Sequence, residues 1–147
     1  MKRFILSIMF VAVALIAVAE SRTDKLLREL HNPKSDYVFV IAHRADWRNF
    51  PENSLEAIES AIAMGVDIVE LDVHRTADGA LVVCHDKTIN RTTNGKGKIS
   101  ELTLDYIKSC YLRAGHNAVT HYKMPTLEEA RCSSSQSAAS VMVLTEG

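Results

Sequence analysis

The sequence predicts an α/β fold, and three observations lead there. Tyr37-Val38-Phe39-Val40-Ile41-Ala42 is a continuous, β-branched-rich apolar run, the pattern of a strand buried on both faces. Leu55, Ile58, Ala61 and Ile62 then recur at helical spacing, the buried stripe of an amphipathic helix. Val66 to Val73 is a second apolar strand. Strand, helix, strand in that order reads as a βαβ unit with parallel strands.

Each element has local chemistry behind it. Asn53 is placed to cap the helix, with Glu56 three residues on to complete a capping box, and Gly65 suits its end. Only a short link, centred on Asp78-Gly79, joins Val73 to Leu81-Val82-Val83-Cys84. A parallel crossover needs a dozen or more residues, so this step is a hairpin. A two-residue turn there pairs Ala77 with Ala80 and Asp72 with His85, which puts Glu70, Asp72 and His85 on one face, with a slip of one residue in register left open. Asn90 to Lys98 reads as a polar loop. Thr103 caps a short helix carrying Leu104, Ile107 and Tyr111, with Leu102 as a hydrophobic staple. Thr126 and Glu129 form a second capping box.

The ends read differently. Lys2 and Arg3, an apolar run from Phe4 to Val18, and Ala17-Val18-Ala19 form a signal peptide over residues 1–19; the run is short for a spanning helix, which takes about 20 residues. Residues 20–36 are a polar lead-in with an apolar patch at Leu26, Leu27 and Leu30, residues 37–131 the folded domain, and residues 132–147 a poorly patterned tail. Export, to a periplasm or the outside, follows from the leader. No stable membrane span is expected after cleavage. Cys84, Cys110 and Cys132 are odd in number and lack C-x-x-C spacing. A Cys110–Cys132 bridge is conceivable, but no disulfide framework is expected.

Seventeen basic side chains against eighteen acidic ones leave a net charge of −1, so no field points to nucleic acid as a partner. An anionic ligand must be held by local groups. Glu70 and Asp72, two apart in an apolar strand, face one way; such a pair repels, and a divalent cation, Ca²⁺ or Mg²⁺, resolves the repulsion. His43 and Arg44 follow the first strand directly, at the end where parallel α/β folds bind ligands. Arg is the preferred fork for phosphate oxygens, and His the side chain suited to proton transfer near neutral pH. His85 likewise follows a strand and precedes Asp86. These residues suit phosphodiester hydrolysis, one histidine taking the proton of the attacking hydroxyl and the other protonating the leaving alkoxide. His74 lies at the rim on the same strand face, Trp47 is either a substrate wall or a loop anchor, and His31, His116 and His121 read as solvated.

The blocks Ala42-His43-Arg44, Pro51-Glu52-Asn53-Ser54, Glu70-Leu71-Asp72, Thr76-x-Asp78-Gly79, His85-Asp86 and Arg91-Thr92-Thr93 before Gly97 stand in one order from about Val38 to Ala130. As a set they resemble the glycerophosphodiester phosphodiesterase family. The resemblance implies a TIM-type (β/α) barrel and hydrolysis of glycerophosphodiesters to an alcohol and glycerol phosphate. It implies catalytic roles for His43 and His85, metal ligation by Glu70 and Asp72, and substrate contact by Arg44 and Glu52, with Glu52 equally readable as part of a helix-starting block. Ala45 departs from the glycine usual after His-Arg, where its methyl restricts a positive φ. A barrel of this type takes about 250 residues, more than the chain's 147. The expectation is therefore an incomplete barrel, the first few strands and helices only, with weak or no turnover alone. A related barrel phospholipase, of the phosphoinositide or sphingomyelinase D kind, and a non-catalytic fragment or binding module are the competing readings. Oligomeric state and head-group preference are not legible.

Overall fold

The computed structural model describes residues 21–135 and 140–145. The expected leader lies outside them. In chain order the elements are helix α1 (Arg22–Leu30), strand β1 (Ile41–His43), helix α2 (Leu55–Ala63), strand β2 (Ile68–Arg75), strand β3 (Leu81–Val83), a 3-10 turn at Ile99–Glu101, helix α3 (Leu104–Ser109), helix α4 (Leu127–Ser135) and strand β4 (Ser140–Thr145). Among the described residues no helix is long and apolar enough to cross a membrane.

The sheet is built on β2. β1 pairs with it in parallel, with His43 level with Glu70. β4 also pairs with it in parallel, from Ile68 to Val73. Since β1 and β4 both engage Ile68 to Glu70, they occupy opposite edges. β3 pairs antiparallel with Val73 to Arg75, where Val73 already faces β4, so β3 shares the edge of β1. The parallel strands thus follow one another in space as in sequence, β1 then β2 then β4, with α2 and α4 as crossovers. The expected βαβ unit is present. The tail that reads as unpatterned holds a strand; its weakly apolar sequence gives little period of its own, and β2 supplies the ladder.

Three local expectations shift, each for a visible reason. β1 is shorter than the apolar run, and Val38 is 81 % exposed where burial on both faces is expected. Among the described residues only β2 flanks β1, so the run's outer side has no cover. The cap of α2 is Ser54 rather than Asn53: the Ser54 hydroxyl accepts from Ala57 N–H at 3.1 Å. Asn53 instead donates its N–H to Arg44 O and sits at φ 60°, a left-handed conformation that asparagine tolerates. The hairpin turn has three residues, not two. Thr76 N–H bonds Ala80 O at 2.9 Å, and Gly79 takes φ 87°. The register therefore slips by one, and Cys84 N–H, not His85, meets Asp72.

Other sequence signals appear as read. Gly65, at φ 80°, closes α2, with Gly65 N–H on Ile62 O and Val66 N–H on Ala61 O, the paired bonds of a Schellman end. Thr126 N–H bonds Glu129 Oε2 while Glu129 N–H bonds Thr126 Oγ1, a reciprocal capping box. Thr103 caps α3. Cys84 and Cys110 are buried and Cys132 is exposed.

The ladder divides two cores. Val69, Leu71 and Val83 face a cluster with Ala57, Ile58, Ala61 and Ala130 from the crossover helices. Val82 and Cys84 face the other way, under Ile89, Ile99, Ile107, Leu112 and Met124. Cross-strand partners share a face, so Asp72, His74, Val82 and Cys84 lie on this second side. The excursion from His85 to Met124 packs on Val82 and Cys84, and in doing so it is held over the carboxylate face of β2.

Candidate active site

Two strands that end on one edge of β2 build the site. β1 ends at His43, level with Glu70, and the antiparallel β3 brings Cys84 level with Asp72. The chain leaving β1 and the chain leaving β3 therefore converge there, which brings the His43–Arg44 and His85–Asp86 pairs to the same end of the sheet as Glu70 and Asp72. The slipped register means that His85 does not owe its place to strand alternation; it lies one residue beyond the last ladder bond. His74, half-buried, has Nε2 3.2 Å from His85 O, which brings it beside His85.

Beyond β1 the chain turns through two left-handed residues, Arg44 at φ 56° and Ala45 at φ 63°. The buried Ala45 carries the strain its sequence position suggests. The turn aims Arg44 N–H at Glu70 Oε2, 2.9 Å away. The Arg44 side chain reaches Glu52 Oε1 through Nη1 at 3.4 Å, and its Nε is buried without a hydrogen-bond partner. Asp72 Oδ2 is also buried without a partner, and Glu70 is buried with its Oε2 on that single N–H. A hard carboxylate oxygen left unsatisfied in a buried place, beside a second buried carboxylate, fits a divalent cation. Among the described residues no three His, Cys, Asp or Glu side chains are grouped to hold a metal, so Glu70 and Asp72 could supply only part of a coordination shell.

A second set of charges, hardly visible in sequence, sits beside this one. Arg91 donates to both oxygens of Glu52 (2.7 and 2.8 Å) and to both oxygens of Asp86 (2.8 Å each). Asp86 Oδ1 lies 2.9 Å from His85 Nδ1. The Arg91 guanidinium, and after it the His85 ring, hold the Asp86 carboxyl far below the usual carboxylate range, against its partial burial. Burial raises the Glu52 carboxyl, but the Arg91 bonds and charge and the Arg44 charge outweigh it, so Glu52 is also lowered. Glu52, expected as a substrate contact, is engaged here by two arginines. Asp86 and Arg91 had only adjacency to His85 and a motif block to mark them. Cys84, by contrast, is inert: burial pushes its thiol up to about 11.

A cavity of about 330 Å³ opens next to this network, lined by Trp47, Glu52, Arg91, Thr92, Arg113 and Asn117. Trp47 is half exposed along it, with the Arg48 guanidinium 5.5 Å over its ring, so wall and anchor both describe it. His31, His116 and His121 are exposed, and His31 Nδ1 is 2.7 Å from Leu27 O at the end of α1.

Comparison with known proteins places this arrangement. A glycerophosphodiester phosphodiesterase of Caldanaerobacter subterraneus is 54% identical over 69 residues, 47% of this chain and 28% of that protein. Glycerophosphodiester phosphodiesterase 1 of Bos taurus is 44% identical over 98 residues, 65% of this chain and 30% of that protein. Among solved structures, a glycerophosphoryl diester phosphodiesterase of Parabacteroides distasonis superposes with a TM-score of 0.69 at 29% identity, over 82% of this chain and 42% of that one. An Oleispira antarctica phosphodiesterase in complex with the product sn-glycerol-3-phosphate gives 0.65 at 33% identity, over 74% and 44%. The chain thus spans less than half the length of each of these relatives. Residues 43–145, well over half the chain, match the glycerophosphoryl diester phosphodiesterase family model, and the chain belongs to that family.

Proposed function

We propose that this chain supplies the first part of a (β/α) barrel that hydrolyses glycerophosphodiesters to an alcohol and glycerol phosphate. Support for the barrel is the order β1, β2, β4, each parallel strand beside the one before it, the winding of a singly wound barrel. Support for the substrate is family membership together with the product-bound relative. The observation that carries the reading is the convergence of two strand ends, bearing His43–Arg44 and His85–Asp86, on the Glu70 and Asp72 level of β2.

In this reading Arg44 clamps a phosphate oxygen with its fork. His43 and His85 divide the proton work: one accepts a proton from the attacking hydroxyl, and the other delivers one to the leaving alkoxide, which departs poorly without it. His85 is the better-defined ring, because Asp86 takes its Nδ1 and leaves Nε2 as the nitrogen for transfer. Glu70 and Asp72 are the residues that would hold a divalent cation, Ca²⁺ or Mg²⁺. Such an ion, when bound, neutralises phosphate oxygens and stabilises the charge that develops at phosphorus. The expected leader supports an exported location for this reaction.

A panel of glycerophosphodiesters with different head groups tests this directly, reading released glycerol phosphate with Ca²⁺ or Mg²⁺ present. We expect slow release from at least one, lost in His43→Ala and in His85→Ala. Full rate in either variant removes that histidine from the chemistry, and hydrolysis of another phosphodiester without release of glycerol phosphate from any member of the panel refutes the substrate assignment.

A further inference from the structure

We propose that Arg91 is a positioning residue for His85: it locks Asp86 with one fork, anchors that fork to Glu52 with the other, and so fixes the His85 ring in the tautomer with its proton on Nδ1. This rests on the reading of His85 as a proton-transfer group. It goes beyond the roles given above because Arg91 touches neither the reacting phosphate nor an ion in that scheme.

The geometry is specific. His85 and Asp86 are sequence neighbours just past a strand end, and a carboxylate there has ordinary rotamer freedom. Four hydrogen bonds of 2.7 to 2.8 Å from one guanidinium remove that freedom. Two of them fall on Asp86, whose Oδ1 faces His85 Nδ1 at 2.9 Å. An ionised carboxylate at Nδ1 requires a proton there, so neutral His85 presents the Nε2 lone pair. The anchor at Glu52 is thirty-nine residues away in sequence and sits in the loop that follows β1, the loop that also presents Arg44. One side chain therefore ties the β1 loop to the β3 loop, the two pieces of chain that carry the two histidines. Lysine can substitute only in part, because an ammonium is a point charge without the planar fork.

The test uses the full chain and long-range ¹H–¹⁵N spectra of the histidine rings at a pH where His85 is neutral. In the wild type, His85 should show one protonated and one unprotonated nitrogen, well separated. In Arg91→Met the two signals should move toward each other as the tautomers mix. In Asp86→Asn they should do the same. An unchanged urea-unfolding midpoint reports that the fold is retained. Arg91→Lys is the second variant, for use if Arg91→Met does not fold, and should show a smaller convergence. His85 signals that move in Asp86→Asn but stay at wild-type positions in both Arg91 variants overturn the proposal. These spectra need no turnover, so loss of the proposed reaction leaves this arm intact. On turnover, Arg91→Met should lower kcat about 10- to 100-fold with KM within about two-fold; a rise in KM at unchanged kcat makes Arg91 a substrate contact instead and overturns the assignment.

Discussion

Replacing Asp72 with asparagine should strengthen the ion-free protein and weaken the ion-loaded one. Glu70 and Asp72 lie two residues apart on one face of β2, a separation of roughly 6.6 Å at 3.3 Å per residue. Two unit charges at that distance repel by about 0.6 kcal/mol in a water-like dielectric and about 2.5 kcal/mol at an effective value of 20. Glu70 is buried and Asp72 half-buried, so the site falls between these limits. One Glu70 oxygen is partly compensated by Arg44 N–H. Asp72 Oδ2 has no hydrogen bond to lose, and asparagine has the same shape. The substitution should therefore raise unfolding free energy in chelator by about 1 kcal/mol, or about 4 °C in Tm. With Ca²⁺ or Mg²⁺ at 100 times its dissociation constant, the wild type should gain about 2.7 kcal/mol, and the variant little. The two unfolding curves should exchange order between chelator and ion. An Asp72→Asn protein that is less stable than wild type in chelator, or that keeps the full response to the ion, refutes the assignment of Asp72 as a ligand.

Two further substitutions probe the scaffold that carries the site. A Cβ on Gly95 would stand 2.3 Å from Cys110 Sγ and 2.8 Å from Ile89 Cδ1, so Gly95→Ala should cost about 1–3 kcal/mol by overpacking; in a Cys110→Ala background part of that cost should disappear in urea unfolding, and equal costs in both backgrounds would show that the close approach is not real. Asp67, 4% exposed, accepts from Val40 N–H, Tyr37 Oη–H and Arg22 Nη2 at 2.9–3.0 Å. Burial raises its carboxyl, but these bonds and the Arg22 charge prevail and lower it. Its stabilisation is therefore complete above the unfolded carboxylate range near pH 4 and is lost as pH falls through the lower folded value. Asp67→Asn should cost about 1.5–3 kcal/mol at neutral pH and flatten the acid limb of the stability profile; an unchanged acid limb would show that Asp67 does not titrate with unfolding.

The parts of this molecule that were legible in its sequence are those set by residues close together in the chain. The capping box at Thr126, the helix end at Gly65, the βαβ unit and the same-face pairing of Glu70 with Asp72 all follow from spacings of two to four residues or from one apolar period. Legibility ends where a distant backbone group decides the outcome. Asn53 is a good capping residue, but the Arg44 carbonyl, nine positions earlier, takes its N–H and turns it left-handed, so Ser54 caps instead. The hairpin was legible from Asp78-Gly79, but its register was not. A two-residue and a three-residue turn differ by one position, and Thr76 hydroxyl bonds to Asp78 and Ala80 favour the longer turn. That single position moves Cys84 opposite Asp72 and frees His85 from the ladder.

Arg91 shows why the rest of the site could not be read. It sits in a loop whose Ile89 and Ile99 are buried in one cluster with Val82 and Cys84, while the Arg91 side chain itself is half exposed. Nothing in the spacing of Arg91 announces this; the apolar residues that flank it determine where it goes. The same packing makes a consequence for function. The excursion from His85 to Met124 packs its apolar residues on Val82 and Cys84, so a change that loosens that core, such as Gly95→Ala, should disturb His85 through Arg91 without substituting any residue of the site. Loss of the His85 tautomer signature in Gly95→Ala, and its return in the Cys110→Ala background, would join the packing of the excursion to the chemistry of the ring.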